Sequence, residues 1–173
     1  MTLDGFCDHT AVNPDDEIHQ HYTDLLASAD DIIYGRITYQ LMEYWADVVK
    51  NPTGNKSMDD FAITIENISK IVFSRTLKNV TWKNTSFAKG GIKEEVIALK
   101  RQPGNDILVG SPGLILQSMH LNLIDEFQFC VHPVIAGKGL QLFKNVNDRI
   151  NLKLLRTKVF GGGAVILYYV PVK

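Results

Sequence analysis

The sequence predicts an α/β fold: a mixed, mostly parallel sheet flanked by helices on both faces, closed by an antiparallel C-terminal hairpin. Two observations carry this. Short apolar runs alternate with amphipathic stretches for most of the 173 residues, and such alternation implies parallel strands joined by crossover helices. At the C-terminus two strand-like runs, Ile150–Phe160 and Ala164–Val172, flank Gly161-Gly162-Gly163, and glycines allow the backbone angles of a tight turn.

Asn13-Pro14-Asp15-Asp16-Glu17 places acidic residues at a helix start, where the peptide dipole favours negative charge. Ile18, Tyr22, Leu25, Leu26 and Ala29 then recur as one apolar stripe, predicting a helix over Asp15–Ala29. Asp31–Gly35 is a buried strand. Ile37–Val48 is a second helix, with Ile37, Leu41, Tyr44, Trp45 and Val48 facing the core. Asn51–Ser57 is a loop and Met58–Asn67 a short helix. Ser69–Ser74 and Val80–Lys83 are strands, Gly91–Arg101 is a helix, and Asp106–Val109 is a strand. A helix over Gly113–His120 and a long strand over Leu123–His132 precede the hairpin.

The length predicts one domain, residues 1–173. Eighteen Lys and Arg against 19 Asp and Glu leave a net charge of −1. That balance argues against a phosphate-clamping nucleic-acid binder. No apolar run reaches the length needed to span a bilayer, and the opening lacks the charged and apolar regions of a signal peptide. Cys7 and Cys130 each lie in an apolar run, as small reduced thiols do. These features predict a cytoplasmic protein with neither membrane nor nucleic-acid partner.

Three strand ends carry residues suited to anions. In Tyr34-Gly35-Arg36-Ile37-Thr38-Tyr39 a strand ends at a glycine and a helix begins. Free N–H groups there favour phosphate, and Arg36 and Thr38 add donors. Val72-Phe73-Ser74-Arg75-Thr76 ends a second strand in a hydroxyl and a guanidinium. Ile107-Leu108-Val109-Gly110-Ser111-Pro112-Gly113-Leu114 ends a third, with Pro112 suited to a first helical turn. Ligands of open α/β sheets bind at the carboxyl ends of strands, so the three belong to one candidate site. The chain has neither a GxGxxG fingerprint nor a GKS/GKT phosphate loop.

In this order, YGRITY, VFSRT, ILVGSPGL and LIDEFQFCVHPVIAGKGLQLF resemble the dihydrofolate reductase-like superfamily. The branch they are most similar to is the C-terminal reductase domain of the bifunctional riboflavin-biosynthesis deaminase/reductase. Leu3-Asp4-Gly5-Phe6 matches that family's S-L-D-G element. The resemblance implies an NADPH-dependent reductase, a homodimer, that passes hydride to a small pyrimidine- or pteridine-like substrate. It implies that Gly35, Arg36 and Thr38 face the cofactor phosphates. Ser74 and Arg75 would stand at the adenosine 2′-phosphate, and Gly110, Ser111, Pro112, Gly113 and Leu114 around the pyrophosphate. Against the family, the first strand is truncated, with Met1-Thr2-Leu3 as its stub. Phe6 and Val109 stand where riboflavin-pathway reductases carry a Lys and a Glu, which removes two groups expected to touch a ribosyl phosphate. A non-catalytic NADP-binding sensor or vestigial module is the alternative.

For proton transfer the candidates are Asp4, beside a glycine near the expected nicotinamide pocket, and His19, which titrates near neutrality. His19 and His21 lie two apart, so they do not share a helix face and do not form a metal pair. No metal site is expected.

Overall fold

The computed structural model describes residues 1–144, 146 and 149–172. They form two compact units, Ile18–Leu123 and the pairing of Met1–Glu17 with Ile124–Lys173.

Helix α1 (Asp16–Ala27), whose residues from Ile18 on belong to the first unit, leads into strand β1 (Ala29–Gly35), followed by α2 (Arg36–Met42), α3 (Tyr44–Lys50), α4 (Lys56–Asn67), β2 (Ser69–Phe73), β3 (Thr85–Phe87), α5 (Ile92–Lys100), β4 (Asp106–Val109) and α6 (Pro112–His120). The strands make an all-parallel sheet in the order β3-β2-β1-β4. Successive strand residues face opposite sides, and two cores result. Ile32, Tyr34 and Val72 pack with Leu26, Tyr39, Phe61, Ile65 and Trp82. Ile33 and Ile71 pack with Val96 and Leu114 on the other face.

The second unit holds β5 (Phe127–Val131), β6 (Leu152–Val159) and β7 (Val165–Pro171). They form an antiparallel sheet ordered β5-β7-β6, and Phe160 N–H donates to Ala164 O at 2.9 Å as the Gly-rich turn closes. The parallel and antiparallel strands are thus hydrogen-bonded as separate ladders. Thr2 adds an isolated parallel bridge to His132.

The structure departs from the predicted elements in three stretches. The helix predicted over Ile37–Val48 divides at Glu43 into α2 and α3. Its expected stripe is largely outside: Ile37, Leu41 and Tyr44 are exposed, whereas Tyr39 and Val48 are buried. The strand expected over Val80–Lys83 is irregular chain, and β3 forms after it. Trp82 is buried there, and Asn84, at φ 54°, turns the chain into β3. The long strand expected from Leu123 starts only at Phe127. Asn122 adopts φ 54°, and Leu123 N–H donates back to Ser118 O at 2.9 Å, closing the end of α6 first.

Buried Lys70 locks β2 against α4. Its ammonium donates to the carbonyls of Ile65 (2.8 Å), Glu66 (3.1 Å) and Ile68 (2.9 Å). It also lies 4.5 Å from the centre of the Trp82 ring. A cation at the last carbonyls of a helix satisfies orphan acceptors and the negative dipole end together. The sequence signal was slight: one lysine in the apolar run that follows a helix.

Candidate functional site

Parallel pairing sets the three strand ends side by side. Gly35 is paired with Phe73, and Ile33 with Val109. Ser74 and Gly110-Ser111 therefore continue past the same edge of the sheet as Gly35.

Ser111 ties two of these ends together. Its Oγ accepts the Gly35 N–H at 2.9 Å. It is buried and caps α6 through its carbonyl, which accepts from Leu114 and Ile115 N–H, both at 2.9 Å. Its hydroxyl is spent on Gly35, so no side-chain cap covers the α6 N-terminus. Pro112 has no N–H to leave unsatisfied in that first turn.

The glycines here are required neither by backbone geometry nor by packing. Gly35, Gly110 and Gly113 are absent from the positive-φ residues. A Cβ on Gly113 would meet nothing within 4 Å. One on Gly35 would reach Ser111 Oγ only at 3.8 Å, and one on Gly110 would reach Tyr34 Cε1 only at 3.9 Å, both ordinary contacts. The missing side chains leave space over the sheet edge and the N-terminus of α6, where a phosphate can approach main-chain N–H groups.

Arg36 opens α2 directly after Gly35, and Arg75 follows the end of β2. Arg36 is exposed, and its Nη1 donates to Gln40 Oε1 at 3.0 Å, one turn along α2. Thr38 is half-buried in the same turn. Ser74 Oγ accepts from Thr76 N–H (3.2 Å) and Leu77 N–H (2.9 Å). That hydroxyl turn presents Arg75 to solvent just past β2. Leu114 is buried in the core beneath α6.

The candidates for proton transfer are Asp4 and His19. Asp4 is bound by three donors: Thr2 Oγ1 at 2.6 Å, Ala136 N–H at 3.1 Å and Gly137 N–H at 2.7 Å. The Thr2 hydroxyl, then the Gly137 and Ala136 amides, hold its carboxyl down to about 2, below its ordinary 3.8. This geometry favours the carboxylate over the acid and makes Asp4 an anchor for the turn at Ala136-Gly137. His19 sits half-buried on α1, its ring edge-on to Trp45 and Phe61, each at a centroid distance of 6.1 Å. Within the other unit, Glu17 accepts the Gly161 N–H at 2.7 Å.

Tyr34 escaped the sequence reading as a site residue. It is buried at the end of β1, and its hydroxyl has no hydrogen-bond partner among the described residues. Its position in the apolar run Ile32-Ile33-Tyr34 marks the residue as core, and only its polar tip could have singled it out. Among the described residues no group of three or more His, Cys, Asp or Glu could hold a metal ion, and no helix is long and apolar enough to cross a membrane.

Fold and site together define an α/β protein whose adjacent parallel strands end in glycine, hydroxyl and arginine residues. Residues 1–166 match the RibD C-terminal domain, and the chain belongs to that reductase-like family. It is 36% identical over 177 residues to the Bacillus subtilis (strain 168) protein YyaP, covering 98% of this chain and 90% of that one. YwjB of the same organism is 29% identical over 150 residues, covering 86% and 78%. The fold is that of a putative riboflavin biosynthesis protein from Shewanella sp. PV-4 (TM-score 0.74, 18% identity, 99% of this chain and 95% of that one). It is also that of a pyrimidine reductase-like protein from Corynebacterium diphtheriae (TM-score 0.67, 14% identity, 99% and 89%). A bifunctional diaminohydroxyphosphoribosylaminopyrimidine deaminase/5-amino-6-(5-phosphoribosylamino)uracil reductase from Thermotoga maritima shares it too (TM-score 0.61, 18% identity, 99% and 54%).

Proposed function

We propose that this protein is an NADPH-dependent reductase acting on a small pyrimidine- or pteridine-like heterocycle. The observation that carries the reading is the glycine-lined strand edge at the α6 N-terminus, where neither backbone nor packing requires glycine. The residues present suit a dinucleotide. The α6 N-terminus with Gly110 and Gly113 would hold the pyrophosphate, with Gly35, Arg36 and Thr38 on the phosphates beside it. Arg75, presented by the Ser74 turn, would pair with the adenosine 2′-phosphate.

When bound, the dihydronicotinamide supplies a hydride to an unsaturated C=N or C=O bond. The chain's own contribution is position. The bond between Ser111 and Gly35 fixes the spacing of two strand ends, so the phosphate contacts are set before a ligand arrives. By resemblance, Val109 puts an apolar group where riboflavin-pathway reductases carry a Glu, which favours a substrate less polar than a ribosyl phosphate.

Fluorescence titration with NADPH is expected to show saturable binding. NADPH oxidation against a panel of pterins and aminopyrimidines is expected to show turnover. A folded protein that binds no NADPH at hundreds of micromolar overturns the reading. Binding without turnover on any member of the panel favours a non-catalytic NADP-binding module.

A further inference from the structure

The hydroxyl of Tyr34 is a buried polar group without a hydrogen-bond partner among the described residues, on the residue just before Gly35. A buried donor without an acceptor destabilises a fold, and phenylalanine would fill the same space without that cost. Tyr34 is 2% exposed and immediately precedes Gly35. Its Cε1 lies 3.9 Å from where a Gly110 Cβ would stand. Gly110 is itself exposed. Two features therefore meet at the end of β1 and β4: an orphan donor and a glycine with no packing need.

We infer that Tyr34 is a positioning residue for the dinucleotide, its hydroxyl donating to a ligand oxygen that settles on the Gly110 main chain as that peptide adjusts. Burial alone pushes the phenol well above its ordinary pKa of 10.0. The group therefore acts as a neutral donor and suits an acceptor oxygen of a phosphate or a ribose. The inference rests on the NADPH reading above and adds to it a contact that the family resemblance does not supply.

Tyr34→Phe removes one oxygen and keeps the ring. Without ligand, the variant is expected to melt at or above the wild-type temperature, because an unsatisfied hydroxyl is gone. Its NADPH dissociation constant is expected to rise by about five- to tenfold, the range of one neutral hydrogen bond. The rise in melting temperature at saturating NADPH should shrink accordingly, whereas a purely structural role would leave that rise unchanged. Equal NADPH affinity in the two proteins overturns the inference and leaves the cofactor reading standing. A lower melting temperature of the unliganded variant also overturns it, since the hydroxyl would then have a partner within the fold. A wild type that binds no NADPH overturns both.

Discussion

Gly113 offers a substitution whose effects on stability and on binding run in opposite directions. It lies in the first turn of α6 with a negative φ, and a Cβ there meets no atom within 4 Å. Gly113→Ala therefore introduces no clash. It restricts the unfolded chain and improves helix propensity, a gain of about 0.4–1 kcal/mol. For a domain of this size that raises the melting temperature by roughly 1–4 °C. The same methyl group occupies the space left over the α6 N-terminus. If the pyrophosphate lies there, overpacking costs about 1–3 kcal/mol, which weakens NADPH by roughly 5- to 150-fold. Thermal unfolding by circular dichroism, with NADPH titration of the same preparation, reads both effects. A stabilised variant with unchanged NADPH affinity would refute the assignment of Gly113 to the ligand. A destabilised variant would refute the reading of the local geometry.

Three further outcomes follow from other residues. Arg75→Ala should weaken NADPH more than NADH by about 10-fold or more, since one charge-assisted hydrogen bond contributes roughly 1.5–3 kcal/mol; equal losses in parallel titrations would remove Arg75 from the 2′-phosphate. Lys70→Met should cost about 2 kcal/mol, or ~4–8 °C in melting temperature, because the Ile65 and Ile68 carbonyls lose their buried donor. Burial lowers Lys70 from 10.5 to about 8, so the unfolded chain binds more protons between those values. Wild-type stability should therefore rise relative to Lys70→Met as pH increases from 8 to 10.5. Asp4→Asn should be less stable than wild type at neutral pH. Asp4 is depressed from 3.8 to about 2, so its contribution is complete above 3.8 and lost as pH falls through 2. Urea unfolding across that range should show the two proteins converging, and a constant gap would mean that the Asp4 carboxylate does not anchor the Ala136-Gly137 turn.

Much of the fold was legible because it depends on periodicity. The runs that became β1, β2 and β4 are apolar on both sides, as strands covered on two faces must be. Asp106–Val109 forms a strand within the bounds the sequence predicts, and the Gly161–Gly163 turn joins β6 and β7 as its composition requires. Legibility failed where a distant residue outweighed local pattern. Ile37, Leu41 and Tyr44 fit a helical stripe, but the chain divides at Glu43 and Tyr39 takes the core position. Val80–Lys83 suits a strand by composition, yet Trp82 turns inward onto Lys70.

The glycine, hydroxyl and arginine residues of the strand ends were visible in the sequence as three separate motifs, because strand-end chemistry is written in consecutive residues. That they share one edge was decided by the parallel register of β1, β2 and β4, which depends on hydrogen bonds between segments far apart in the chain. Tertiary structure also decided what single residues do. Ser111 spends its hydroxyl on Gly35, and Asp4 becomes a turn anchor. Tyr34 keeps a polar tip inside the core without a partner among the described residues. A residue type fixes which bonds a side chain can make; its neighbours in space determine which of them it makes.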